Sequence, residues 1–331
     1  MTTSNVLSCT RDSTVDIPPA DRLAYWDAQC AATLIGLRCS TLSPTGLEVE
    51  KTGIALPNLG VADIRGRDHV VERNSSLVSQ RPKESLFACQ ILQGRAYFIQ
   101  REQCLLVESG ETVIYDTRIP YLFGFLTSMR QLLIDVPLDA WRASADSPRL
   151  SGMPLKISPR PGAEAMLSET LRASVVRFMR DPVRSDADGF CARTQALLSA
   201  LMDVESQGAG ASRTGLSYVL TAKEYIASHA ADPELHPQGV ADAVGLSLRH
   251  LNRLFASEDD SIAQHIWQTR LARAHRNLLD PQLRKTSVGE IAYRWGFTSL
   301  AHFSRAMRAR YGASPLALRS GAQAQPPRTS S

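Results

Sequence analysis

Between Leu47 and Val136 apolar and polar positions alternate in short runs: LEVEKTGIAL, VADIRG, SLFACQIL, AYFIQ, EQCLLVE, ETVIYD, YLFGF and RQLLIDV. Gly94 and Ser109-Gly110 punctuate them. Period-2 alternation puts successive side chains on opposite faces of a strand, so these runs predict a small sandwich or barrel. Ahead of them, Asp21 to Ala32 carries Leu23, Trp26, Ala28 and Cys30 and predicts one short helix. Residues 1–20, rich in Ser, Thr, Asp and Pro, are expected to form a mobile tail. Pro137 and the polar WRASADSPRL end the β pattern and set a domain border near 140 to 160.

The period then changes. Leu167, Leu171, Val175 and Phe178 recur at helical spacing within Ala163 to Arg180, and Phe190, Leu197, Leu198, Leu201 and Met202 within Gly189 to Glu205. Asp181-Pro182 breaks between them, so the two stripes pair as a hairpin, within the chain, on the sheet or against a second subunit. SQGAGASRTG, Ser206 to Gly215, reads as a flexible linker, and every long pattern beyond it is helical. The expected organisation is a tail at 1–20, a β-rich domain at 21–145, a helical hairpin at 146–205, a linker at 206–215, an all-α module at 216–320 and a second mobile tail at 321–331. The fold class is therefore α+β and multidomain.

Two segments of the all-α module share one pattern. In QGVADAVGLSLRHLNRLF, Gln238 to Phe255, the small Ala241 lets two helices approach, Gly245 supplies a turn conformation that side chains resist, and Ser247 stands at a helix N-cap. About fifty residues later Ala292, Gly296 and Ser299 take these roles, with one more residue in the turn. Each segment predicts a helix-turn-helix, whose second helix enters a DNA major groove. Ser261 to Leu279, apolar at Ile262, Ile266, Leu271, Ala274 and Leu278, predicts a connecting rod of about 27 Å at 1.5 Å per residue. Trp267 and Trp295 fall in apolar periodic positions and read as core anchors.

Charge supports a polyanionic partner for this module. The chain carries 37 basic and 33 acidic residues, yet Asp260 to Arg319 alone holds ten basic against three acidic. Elsewhere the chemistry is sparse. Cys9, Cys30, Cys39, Cys89, Cys104 and Cys191 are scattered without a C-x-x-C pair, and His69 is the one histidine between Val15 and Val204. Neither a disulfide scaffold, a metal site nor a cofactor is expected, and no phosphate loop, dinucleotide fingerprint or nucleophile elbow occurs. No apolar run reaches the roughly 18 residues of a membrane helix, so a soluble, cytoplasmic protein without a membrane partner is expected.

RLARAHRNLL (Arg270 to Leu279), EIAYRWGFTSLAHFSR (Glu290 to Arg305) and YGASPLALR (Tyr311 to Arg319) resemble the signature of the AraC family of transcription regulators. Leu92 to Phe125 is similar to the cupin-like sensor region of one branch of that family. The resemblance implies a cupin-like effector and dimerisation domain, promoter double-stranded DNA and RNA polymerase as partners, and activation of transcription as a homodimer. By position it assigns groove-facing roles to Arg249, His250, Asn252 and Arg253, and to Leu300, Ala301, His302, Ser304 and Arg305. Arginine can pair bidentately with guanine and asparagine with adenine, whereas Leu300 and Ala301 offer only apolar contacts. Phosphate contacts are assigned to Ser247, Ser299, Arg308 and Arg310. Two departures stand out: Glu258-Asp259-Asp260-Ser261 where the family often has Gly-x-Ser-Pro, and Met307 where it has Phe.

For the β domain the remaining task is binding. The branch it resembles often senses aromatic or other small catabolic compounds, and Phe87, Tyr97, Phe98, Tyr115 and Arg118 cluster in the strand region as effector contacts, the alternative being that the aromatics are simply core. Control by a partner protein or by abundance, and an enzyme carrying a DNA-targeting module, are the rival readings.

Overall fold

Each alternating run between Leu47 and Val136 forms a strand in the computed structural model, which describes residues 8–143, 153–159, 161–183, 185–207, 211–256, 258, 260–297 and 299–323. The chain divides into two compact units at Thr214/Gly215. In chain order the first contains β1 (Ser8–Ser13), α1 (Arg22–Thr33), β2 (Arg38–Thr41), β3 (Val49–Leu56), β4 (Leu59–Gly66), β5 (His69–Arg73), α2 (Ser75–Gln80), β6 (Ser85–Gln93), β7 (Arg95–Gln100), β8 (Gln103–Glu108), β9 (Thr112–Asp116), β10 (Tyr121–Phe125), β11 (Met129–Pro137), α3 (Leu138–Arg142), β12 (Leu155–Ile157), α4 (Ala163–Arg180) and α5 (Ala187–Gln207).

The strands pair antiparallel into a seven-stranded sheet, β1-β3-β4-β11-β6-β9-β12, and a five-stranded sheet, β2-β5-β10-β7-β8. Alternate residues of both sheets, among them Phe87, Cys89, Phe98, Tyr115, Phe123 and Leu133, point inward and form one core closed by Trp26 and Cys30 of α1. SLFACQIL and RQLLIDV are nearly continuous in apolar residues because their sheet is covered on both faces. Leu86, Ala88, Ile134 and Val136 face away from that core yet are buried, and Ser168 of α4 accepts a 2.9 Å bond from Gln90 Nε2 on this side. The α4–α5 hairpin buries its own stripe: Leu167, Leu171 and Val175 are sealed, and the rings of Phe178 and Phe190 stack at 4.0 Å. Of the pairings left open, the structure shows this stripe buried within the chain.

Three boundary expectations need correction. Ser8–Ser13 is not tail but an edge strand paired with β3, and Thr14 Oγ1 extends the join by donating to Leu47 O at 2.8 Å and accepting from Val49 N at 2.9 Å. An edge strand buries few side chains, so its composition carries little signal. The linker is shorter than read, because α5 runs to Gln207 and the next helix starts at Ala211; continuing a formed helix costs less than nucleating one. At the other end the last helix reaches Gln323. The parts of the tails at 1–7 and 324–331, the linker centre at 208–210 and the border at 144–152 lie outside the described residues. The hairpin region also contains β12, three residues that add to the sheet beside β9.

The second unit has helices and no strand among its described residues: α6 (Ala211–His229), whose first residues precede the boundary, α7 (Pro237–Ala243), α8 (Leu248–Ala256), α9 (Ile262–Leu279), α10 (Val288–Arg294), α11 (Leu300–Tyr311) and α12 (Pro315–Gln323). It has two small cores. Val240, Ala241, Leu251, Phe255 and Ile266 belong to one, and Leu271, Ile291, Ala292, Phe303 and Met307 to the other, so α9 contributes its first half to one and its second half to the other.

Candidate nucleic-acid interface

The two helix-turn-helix units close on the same backbone device. After α7, Gly245 takes φ +73°, its N–H donates to Asp242 O at 3.1 Å and Leu246 N donates to Ala241 O at 3.0 Å. After α10, Gly296 takes φ +75°, with Gly296 N to Tyr293 O at 3.0 Å and Phe297 N to Ala292 O at 3.0 Å. This pair of bonds is the Schellman termination, which needs a left-handed residue that glycine alone supplies without steric cost. Ala241 and Ala292, both fully buried, are where the helices meet.

Serines then restart the chain as helix. Ser247 Oγ accepts from His250 N at 3.3 Å, and Ser299 Oγ accepts from His302 N at 3.3 Å. Leu251 and Phe255 anchor α8, leaving Arg249, His250, Asn252 and Arg253 exposed. Phe303, Ala306 and Met307 anchor α11, leaving Leu300, Ala301, His302 and Arg305 exposed and Ser304 half-buried. Arg249, Asn252 and Arg253 stand at i, i+3, i+4, and Ala301, Arg305 and Arg308 at i, i+4, i+7, so each set shares one face of its helix. Arg249, Arg253, Arg305 and Arg308 have no ion pair with a described residue. Arg310 instead approaches the Tyr311 ring at 5.9 Å.

Supporting contacts fix the second helices. Ser287 and Glu290 form a reciprocal capping box on α10, and Trp295 Nε1 donates to Asn277 Oδ1 at 2.6 Å. Trp267 and Trp295 are half-buried against the second core, and the His302 ring lies 6.4 Å from that of Trp267. The acidic departure after α8 has local uses: Glu258 pairs with Lys223 of α6, and Asp260 accepts from Ser261 N at 2.8 Å and contacts His265 Nδ1 at 3.0 Å. Residue 259 lies outside the described residues. Arg270, quoted above only as part of a signature, ties α9 to the α6–α7 connection through Ala230 O at 3.1 Å and Asp232 O at 2.7 Å.

In the N-terminal unit the proposed effector contacts separate. Phe87, Phe98 and Tyr115 come together inside, with Phe98 and Tyr115 ring centroids 4.5 Å apart. Tyr97 does not join them: it follows Ala96 and precedes Phe98, both inward, so the pleat turns it out, where its ring lies over Gly124 of β10. Arg118 is exposed and clasped by Asp116, Nη2 to Oδ2 at 2.7 Å. Residues that sequence reading missed complete the interior: Trp26, His69, Tyr121, Phe123, Phe125 and Gln131. The i, i+2, i+4 aromatics of YLFGF were the available signal. Burial lowers the His69 pKa to about 4 and raises the Cys89 thiol to about 12. The space left among these rings is about 40 Å³, room for water rather than for an organic molecule. Among the described residues no group of three or more His, Cys, Asp and Glu could hold a metal, and no helix is long and apolar enough to cross a membrane.

Two helix-turn-helix units joined by one helix, behind a β-rich unit with cupin-like sheets, define a DNA-binding regulator of transcription. Residues 26–216, more than half the chain, match the AraC-binding-like domain, and residues 240–321 match a helix-turn-helix domain. The chain belongs to the AraC family of transcriptional regulators. It is similar to the transcriptional activator NphR of Rhodococcus sp, 25% identical over 301 residues that cover 87% of each chain. It is also similar to the transcriptional activator RhrA of Rhizobium meliloti (strain 1021), 34% identical over 80 residues, 24% of this chain and 25% of that one. In fold it is similar to the AraC-like transcriptional activator CuxR, with TM-score 0.50 and 18% identity over 81% of this chain and 95% of the other. All three are transcriptional activators.

Proposed function

We propose that this protein activates transcription by reading two successive major-groove faces of promoter DNA, under control of a small molecule bound to the N-terminal unit. The observation that carries the DNA half is the repeated Schellman turn and serine cap, which present two helices whose Arg249, Arg253, Arg305 and Arg308 have no ion pair with a described residue. On this reading α8 lays Arg249, His250, Asn252 and Arg253 in one groove and α11 lays Leu300, Ala301, His302, Ser304 and Arg305 in the next, about 34 Å along the duplex. Ser247, Ser299, Arg308 and Arg310 contact phosphates and set the register. Activation through RNA polymerase is supported by the activator relatives. The activator relatives favour this reading over an enzyme with a DNA-targeting module.

Footprinting of the full chain on its strongest genomic site tests this. Arg249→Ala should lift protection from one groove segment and Arg305→Ala from the other. A single short protected segment, indifferent to one of the two changes, would contradict the use of both units.

A further inference from the structure

The register of the seven-stranded sheet lines up its inward residues in rungs. Thr10, Gly53, Ala62 and Leu133 share one, and Ser8, Ala55, Gly60 and Asp135 share the next. The middle positions of both rungs, on β3 and β4, carry nothing larger than a methyl. The sheet is bare there, and a hollow of about 420 Å³ opens above it, unlike the filled space among the aromatics. Sites for small organic molecules span about 300–1,000 Å³.

The hollow's polar groups are paired in a way that selects a ligand class. Lys51, 2% exposed, lies 2.9 Å from Asp12 Oδ2 and donates to Thr33 Oγ1 at 2.5 Å. Lys83 lies 2.6 Å from Asp135 Oδ2. Asp135, 8% exposed, lines the hollow, and its other oxygen, Oδ1, is buried without a hydrogen-bond partner. Each lysine therefore already has its carboxylate. An entering anion has to compete with an aspartate, and an entering cation with a lysine; either leaves a desolvated charge uncompensated. A neutral group leaves both pairs intact while accepting from the ammonium N–H groups that remain, since each ammonium has three. Leu34, Leu59 and Pro137 supply apolar wall for the rest of such a molecule.

We propose that this hollow, rather than the aromatic interior, is the binding site of the N-terminal unit, and that it takes a small neutral molecule bearing hydroxyl or amide groups. The inference rests on the effector reading above. Four probes of matched length, valeramide, 1,2-pentanediol, valerate and pentylamine, are titrated into the full chain at neutral pH by protein-observed NMR. Valeramide and the diol should bind at least tenfold more tightly than the two ions. Ala55→Leu, which projects into the open space, and Thr10→Leu should each weaken them at least tenfold. Equal or tighter binding of valerate or pentylamine overturns the ligand class. Absence of binding by every probe, or binding untouched by both variants, overturns the site. DNA affinity, measured with each probe at saturation, separates the two readings. Probes that fill the hollow without moving DNA affinity overturn effector control, and a change in DNA affinity that survives both variants keeps effector control and overturns the hollow.

Discussion

The guanidinium carbon of Arg270 lies 3.1 Å from the point where a Cβ on Gly296 would stand. Arg270 cannot readily retreat, because it is bonded to Ala230 O and Asp232 O, so it holds the turn of the second helix-turn-helix and the α6–α7 connection at once. Gly245, the equivalent glycine of the first unit, has open space beyond its Cα. Gly245→Ala should therefore cost about the left-handed backbone penalty alone, roughly 1–2 kcal/mol. Gly296→Ala should cost more, by about a further 1 kcal/mol or more for the overpacked contact. Thermal unfolding of the two full-length variants gives the order, and equal losses would show that Arg270 yields freely.

Arginines on the recognition helices should divide by salt dependence. Arg249→Ala and Arg305→Ala should each cost about 1–3 kcal/mol on the preferred site and relax discrimination at one base pair. Arg308→Ala should weaken all sequences alike and lower the magnitude of the log Kd against log salt slope by about one. The comparison is a salt titration on cognate and scrambled duplexes. Uniform weakening of all sequences by all three variants would mean that none of them reads a base.

His69 gives the N-terminal unit an acid sensitivity of known sign. Its folded pKa is depressed to about 4 by burial beside Phe125, against the ordinary 6.5, so the folded state resists a proton that the unfolded chain accepts. The stabilisation is complete above about pH 6.5 and is lost as pH falls toward 4, at about 1.4 kcal/mol per unit, which gives about 3 kcal/mol in all. His69→Phe should remove that part of the pH dependence between pH 7 and 4 and leave the carboxylate part, such as that of Glu111, in place. If urea unfolding of both proteins shows the same slope across that window, His69 is not buried as a neutral base.

Most of this fold is legible where one physical signal dominates. Strands β3, β4 and β6 to β11 show alternation because one face is always core, and the helix-turn-helix units show themselves through Ala241/Gly245/Ser247 and Ala292/Gly296/Ser299, positions where backbone geometry dictates the residue. β2 and β12 are too short to display a period, β5 (HVVER) places two valines side by side and does not alternate, and β1 is polar because it borders the sheet. The effector residues were the least legible. Tyr97 and Phe98 are neighbours on one strand, so the pleat admits only one of them to the interior, and grouping both by aromatic content ignored it. The hollow was invisible for another reason: it is built from residues with no side chain larger than a methyl, Gly53, Ala55, Gly60 and Ala62, aligned only by register.

That register also places a buried charge whose loss should be costly in this unit. Asp12 and Lys51 face each other across β1 and β3, and Lys51 is 2% exposed with its ammonium 5.8 Å from the Trp26 ring. Removing one partner leaves the other charge buried, so Lys51→Met should cost about 3–5 kcal/mol. Removing both removes the uncompensated charge as well, so Asp12→Leu combined with Lys51→Met should recover most of that loss. Hydrogen exchange of the β1 and β3 amides reports the two cases directly: fast exchange in the single variant, near wild-type protection in the double. Additive losses would mean that water reaches the pair and that the hollow beside it is not the low-dielectric site its burial indicates.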